Sequence, residues 1–185
     1  VVMGSEISGG VRNVYAENCE MDSPNLDRVL RIKTNAVRGG IIENIYMRNV
    51  KIGQVREAVL KINYHYEEGD NGDFDPVVRN INMENVVSKK SNYGIWIRTF
   101  ERAPASGITI TNCEFNNVSK GNLVENVKDI KLKSVLINGE EAKIERFPLS
   151  QKIIFWRSKY YVSLSISSGL DEALDVLKTF ANNVD

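Results

Sequence analysis

Asn13-Val14-Tyr15-Ala16-Glu17-Asn18-Cys19, Asn44-Ile45-Tyr46-Met47-Arg48-Asn49-Val50 and Asn80-Ile81-Asn82-Met83-Glu84-Asn85-Val86 are three copies of one phrase. Weaker copies follow at Gly107-Ile108-Thr109-Ile110-Thr111-Asn112-Cys113 and Asp129-Ile130-Lys131-Leu132-Lys133-Ser134-Val135. The second Asn advances from 18 to 49, 85 and 112, and Ser134 stands in its place in the last copy. Repeats of this period are the mark of a solenoid, in which each unit buries its apolar face only against its neighbours.

Each copy alternates with period two. Val14, Ile45, Ile81, Ile108 and Ile130 form one apolar column, and Ala16, Met47, Met83, Ile110 and Leu132 a second. Such alternation places successive side chains on opposite faces of a strand. The Asn column at 18, 49, 85 and 112 is expected to end each strand. Asn tolerates the left-handed backbone, and stacked amides can bond along the column. A second strand recurs as Leu30-Arg31-Ile32-Lys33, Leu60-Lys61-Ile62-Asn63 and Ile95-Trp96-Ile97-Arg98, at similar intervals. The segments between the strands are too short and too rich in Gly and Asn for helices. The expected fold is therefore all-β: a right-handed parallel β-helix, partial, of about five coils. An antiparallel sandwich would not need the same phrase in the same order.

The 24 basic and 24 acidic residues balance, so no global field attracts nucleic acid or a membrane surface. No run of about 18 apolar residues suggests a spanning helix. No signal peptide is visible, and the compartment is left open. Cys19 and Cys113 fall in one inward column three coils apart, about 14 Å at the inter-strand spacing. A disulfide needs Cα atoms within about 7 Å, so two free, buried thiols are expected. His65 is the single histidine and lacks the cluster that a metal site needs. The acidic run from Glu67 to Asp75 lacks the spacing of a calcium loop and reads as a solvated turn. No metal or cofactor is expected.

Outward positions of the second strand stack as Arg31, Lys61 and Trp96, with Lys33, Asn63 and Arg98 beside them and Tyr64 next in the chain. Stacked cations repel one another unless an anion lies across them. Guanidinium fits carboxylate bidentately, and an aromatic ring can stack on a sugar. These seven residues are the expected substrate-binding set, forming a groove for an acidic polysaccharide. The competing expectation is that the cations pair with loop acids such as Glu57, Glu67, Glu68 or Glu101.

Gly4-Ser5-Glu6-Ile7-Ser8-Gly9-Gly10-Val11, followed by Arg31-Ile32-Lys33, resembles the polygalacturonase family of glycoside hydrolases, family 28. The resemblance covers about residues 1–140. It implies a right-handed parallel β-helix, galacturonate-containing polysaccharide as partner, and carboxylate binding by Arg31 and Lys33. It also implies an aromatic neighbour near Tyr64 and a secreted or periplasmic setting. The family's Asn-Thr-Asp and Asp-Asp motifs are not in the sequence, and its Gly-His-Gly motif would fall upstream of Val1. Inverting hydrolysis needs an acid and a base about 6.5–9.5 Å apart, and no two acids are expected on the outward columns. The expectation is thus a truncated, polygalacturonase-like C-terminal half without catalytic residues, inactive alone. The alternative is a non-catalytic domain for binding acidic polysaccharide or for assembly.

After Gly139 the repeat fades. Residues 141–185 are expected to form a tail with strands at Ile153–Trp156 and Tyr160–Ile166 and a helix starting at Ser168. Such a tail could cap an open end of the stack, in cis or on a second molecule, so a homo-oligomer is expected.

Overall fold

The structure is a computed structural model that describes residues 1–146 and 152–155. Among these there is no helix. The strands are β1 (Val2–Met3), β2 (Gly10–Glu17), β3 (Glu20–Met21), β4 (Arg28–Lys33), β5 (Ile41–Gln54), β6 (Ala58–Asn63) and β7 (Val77–Lys90). There follow β8 (Tyr93–Arg98), β9 (Ser106–Phe115), β10 (Leu123–Glu125), β11 (Ile130–Ile137), β12 (Glu140–Glu141), β13 (Ile144–Arg146) and β14 (Lys152–Phe155). They form two sheets, β1-β4-β6-β8-β10-β14-β13 and β12-β11-β9-β7-β5-β2, with β3 pairing β5. Pairing is parallel from β1 to β10 and from β2 to β11. The chain visits each sheet once per coil, crossing between them twice. This is the arrangement of a partial parallel β-helix, consistent with the right-handed form.

Register follows the repeat. Val14, Ile45, Ile81, Ile108 and Ile130 are consecutive partners across the second sheet. Opposite them, Leu30, Leu60 and Ile95 stack in the first sheet, beside Ile32, Ile62, Ile97 and Val124. These two sets close one apolar core. Burying each large aliphatic side chain stabilises the stack by about 1.5–3 kcal/mol. The first rung gains less. Val14 and Ala16 are half-buried, whereas Ile45 and Met47 above them are fully buried.

The Asn columns do not end most strands; they turn corners within them. Asn18 does follow the last residue of β2, but Asn49, Asn85 and Asn112 lie inside β5, β7 and β9. All four are left-handed, with φ of 51–56°. The first Asn of each phrase does the same: Asn13, Asn44 and Asn80 have φ of 57–59°. Alternation breaks at each corner. In β5, Ile42 points inward, then Ile45 and Met47, then Val50 and Ile52. Two consecutive outward residues at each Asn let the strand change direction while both arms keep facing the core. The amides bond along the column, Asn49 Nδ2 donating to Asn18 Oδ1 (3.1 Å) and Asn85 Nδ2 to Asn49 Oδ1 (3.0 Å). A parallel ladder joins Asn44 to Asn13 (3.0 Å) and Asn80 to Asn44 (2.6 Å).

Both cysteines are free thiols. Cys113 is buried in line with Val135, but Cys19 is only half-buried because it lies on the first rung. After β11 the chain reverses through Asn138-Gly139, both at positive φ, the backbone that an Asn-Gly hairpin turn requires. β12 then pairs antiparallel with β11, and β14 pairs antiparallel with β10. β14 covers most of the strand expected at Ile153–Trp156. The expected strand at 160–166 and helix from Ser168 lie outside the described residues.

Candidate functional site

Inward Leu30 and Ile32, Leu60 and Ile62, and Ile95 and Ile97 fix which residues of β4, β6 and β8 face outward. Pairing then aligns Arg31 with Lys61, Trp96 and Leu123 in one outer column. Lys33, Asn63, Arg98 and Glu125 form the next. Six of the seven residues expected in the groove thus share one wall.

Tyr64 does not. It is fully buried and packs edge-on to Phe100 at 5.4 Å between ring centroids. The reason is parity: residues 60, 62 and 64 all point inward. Burial pushes the phenol's pKa above its ordinary value. Its ring is closed to a ligand in the groove.

The aromatic beside the cations is Tyr66. Its ring lies 4.4 Å from Lys33 Nζ and 5.3 Å from the Arg31 guanidinium carbon. Alternation does not reach this residue, because the chain leaves β6 and turns, with Glu67 at φ 53° and the Gly69 N–H donating to the Tyr66 carbonyl (3.2 Å). Asn35 Nδ2 also donates to that carbonyl (3.1 Å) and fixes the ring's position. Gly4 packs against the other side of Lys33. A Cβ there would sit 1.8 Å from the Lys33 carbonyl oxygen, so no other residue fits without moving that strand.

The four cations of the stripe are not equivalent. Lys61 is buried, its ammonium is ion-paired with Glu57, and it lies 4.1 Å from the Trp96 ring centroid. Glu57 is also ion-paired with Arg28. Arg98 Nε lies 3.1 Å from Glu125 Oε2. These two cations therefore follow the loop-acid expectation in part, through Glu57 and through Glu125, an acid on the outward column that sequence reading did not place there. Arg31 and Lys33 have no carboxylate within 4 Å among the described residues. Both are half-buried, and Arg31 Nε is shielded from solvent without an acceptor among the described residues.

The second sheet makes a useful contrast. There Arg12 and Arg79 share Glu43 (2.5 and 2.7 Å), and Arg48 bonds Glu17 (3.1 Å). Guanidiniums on both sides hold the Glu43 carboxyl below its usual range. Its stacked charges are balanced within the protein. At Arg31 and Lys33, an anionic ligand would provide that balance.

The acidic loop is not simply solvated. Asp70 and Asp75 both bond Arg102, and Glu68 accepts from Asn35 Nδ2 (2.7 Å). Among the described residues no three His, Cys, Asp or Glu side chains gather as a metal site would require.

No family model matches the chain. A curated relative, a probable polygalacturonase from Vitis vinifera, is 28% identical over 128 residues, which is 67% of this chain and 26% of the relative. The crystal structure of a hyperthermoactive exopolygalacturonase from Thermotoga maritima matches with a TM-score of 0.71 and 32% identity. That match covers 84% of this chain and 34% of the other. The chain thus spans well under half the length of either protein. The similarity is at the level of glycoside hydrolase family 28, the polygalacturonases.

Proposed function

We propose that this chain binds acidic, galacturonate-containing polysaccharide along the outer face of its first sheet, and that alone it does not cleave it. Arg31 and Lys33 take a sugar carboxylate, and Tyr66 offers a ring face beside it. Trp96, Asn63 and Arg98 extend the wall, while Lys61 acts from beneath it by holding Glu57 and supporting Trp96. The observation that carries this reading is the pair of half-buried cations lacking carboxylate partners on a wall otherwise internally compensated. Similarity to two polygalacturonases supports the choice of galacturonate. Glycoside hydrolysis by inversion needs two carboxyl groups with separate acid and base roles. Two acids beside the strands of this wall, Glu57 and Glu125, are each engaged by cations.

Calorimetric titration with oligogalacturonate tests the reading. Wild-type chain is expected to bind, and Arg31→Ala to weaken binding at least about tenfold, the loss of one charge-assisted contact. Unchanged affinity in Arg31→Ala would remove the site. Release of reducing ends from polygalacturonate by this chain alone would overturn the non-cleaving part.

A second reading, assembly, is favoured by the half-buried first rung, where no strand among the described residues covers Val11, Val14 and Ala16. An uncovered strand edge is a template for pairing. The expected homo-oligomer would show in light scattering as a mass above that of one chain. A mass equal to one chain at all concentrations would exclude it.

A further inference from the structure

The groove wall continues past Trp96 into an open cleft of about 510 Å³, to which Arg98 and Glu125 both belong. His65, Asp70, Glu101 and Arg102 line the rest of its charged rim. Two arginines face three carboxylates there, and both arginines are already engaged: Arg98 by Glu125, and Arg102 by Asp70 and Asp75. His65 stands edge-on to Phe100 at 5.0 Å, and partial burial together with Arg98 lowers its pKa, so the imidazole adds no positive charge near neutral pH. The floor is fixed by reciprocal bonds, Asn126 Nδ2 donating to the Thr99 carbonyl (2.8 Å) and Thr99 Oγ1 to the Asn126 carbonyl (2.5 Å).

The two ends of one wall therefore differ in sign. Arg31 and Lys33 offer positive charge without internal partners. The cleft begins beside His65, one rung on, and reaches Glu125 three rungs on, about 14 Å along the stack; its arginines are paired, and it carries one net negative charge by formal count. We propose that this cleft is a selectivity subsite that accepts a neutral or esterified sugar unit and disfavours a free uronate, with Glu125 the residue that sets the preference. Glu125 does so in two ways: it occupies the Arg98 guanidinium, and it repels an incoming carboxylate. Hydroxyl groups and an ester carbonyl suffer no such repulsion and can bond to the side-chain donors and acceptors of the rim. The proposal rests on the groove reading above, since it assigns one end of the same binding path.

The test compares short and long oligogalacturonates, free and methyl-esterified, by calorimetry on the full chain. Glu125→Gln keeps the side chain's shape and removes its charge. It is expected to bind long free-acid oligomers about threefold to fivefold more tightly than wild type, the scale of one partly exposed charge pair. Affinity for digalacturonate, too short to reach from Arg31 to Glu125, stays unchanged, as does affinity for the esterified long oligomer. Arg98→Ala provides the opposite arm. It leaves Glu125 without that cation and is expected to weaken long free-acid oligomers more than esterified ones. Circular dichroism checks that both variants fold.

Free-acid binding that is unchanged or weaker in folded Glu125→Gln, while Arg31→Ala still weakens it at least about tenfold, overturns the subsite and leaves the groove standing. If Arg31→Ala has no effect, or the wild-type chain binds none of the oligomers, the groove reading falls and the subsite with it.

Discussion

Asn49 makes plain what one residue does in this fold. It holds φ at 54°, donates to Asn18 and accepts from Asn85. Left-handed backbone costs a non-glycine, non-asparagine residue about 1–2 kcal/mol, and each amide bond adds about 1 kcal/mol. Asn49→Ala is therefore expected to lower stability by about 3–4 kcal/mol in urea denaturation. Asn49→Gly, which keeps the backbone but loses the amide, should lose about 2 kcal/mol. Equal losses would mean that the backbone conformation contributes nothing. The Tyr64 and Tyr66 pair separates packing from recognition in the same manner. Tyr66→Ala is expected to weaken oligogalacturonate binding about tenfold while the fold persists. Tyr64→Ala should instead empty part of the core and lower stability by about 3–5 kcal/mol. Stability and affinity measured on both variants check the assignment.

At the scale of elements, the strands were the legible part. Parity and repetition in the phrases from Asn13, Asn44 and Asn80 specify which residues stack, and Arg31, Lys61 and Trp96 do align. The corners were read less well. The break in alternation between Met47 and Val50 is visible in the residues, but it signals a bend only once both arms are known to face one core. Tyr66 and Arg102 were out of reach for another reason. Their placement depends on a turn and on contacts between residues about 30 positions apart, such as Asn35 with Tyr66 and Arg102 with Asp70. Side-chain pairing cannot be fixed by spacing alone: Glu57 was one of several acids open to the cations and proves to hold Lys61, whereas the compensation of Arg98 by Glu125 emerged only from the structure. The loop between β6 and β7 is held from the next coil by Arg102. Arg102→Ala is expected to speed limited proteolysis within residues 66–75. Because the pairs are exposed, global stability should change little. Protection equal to wild type would show that Arg102 does not hold the loop.

At the scale of the whole molecule, the described coils share one stacked core, and a charge appearing on a buried rung destabilises the folded stack. Burial raises the Cys113 thiol from 9.0 to about 11, with two backbone carbonyls beside it. The folded state thus holds this proton more tightly than the unfolded chain. Its contribution to stability is complete below pH 9 and is lost as pH rises through about 11. Cys113→Val extends the valine column of Val50, Val86 and Val135 and should match wild type near neutral pH. Its denaturation midpoint should fall less than that of wild type across that alkaline interval. Identical pH profiles would show that the thiol does not ionise with unfolding.

The amide ladders have a further consequence. In both ladders, from Asn13 to Asn80 and from Asn18 to Asn85, each Asn donates to the one a coil before it, so a coil inserted or removed within that stretch would keep the same amide contact at either seam. Each such event would move Glu125 toward or away from Lys33 by one inter-strand step, while altering neither end chemically. The separation between a free acid and a masked one on a bound polymer would then be gauged in whole steps, and evolution could retune that length by duplication alone.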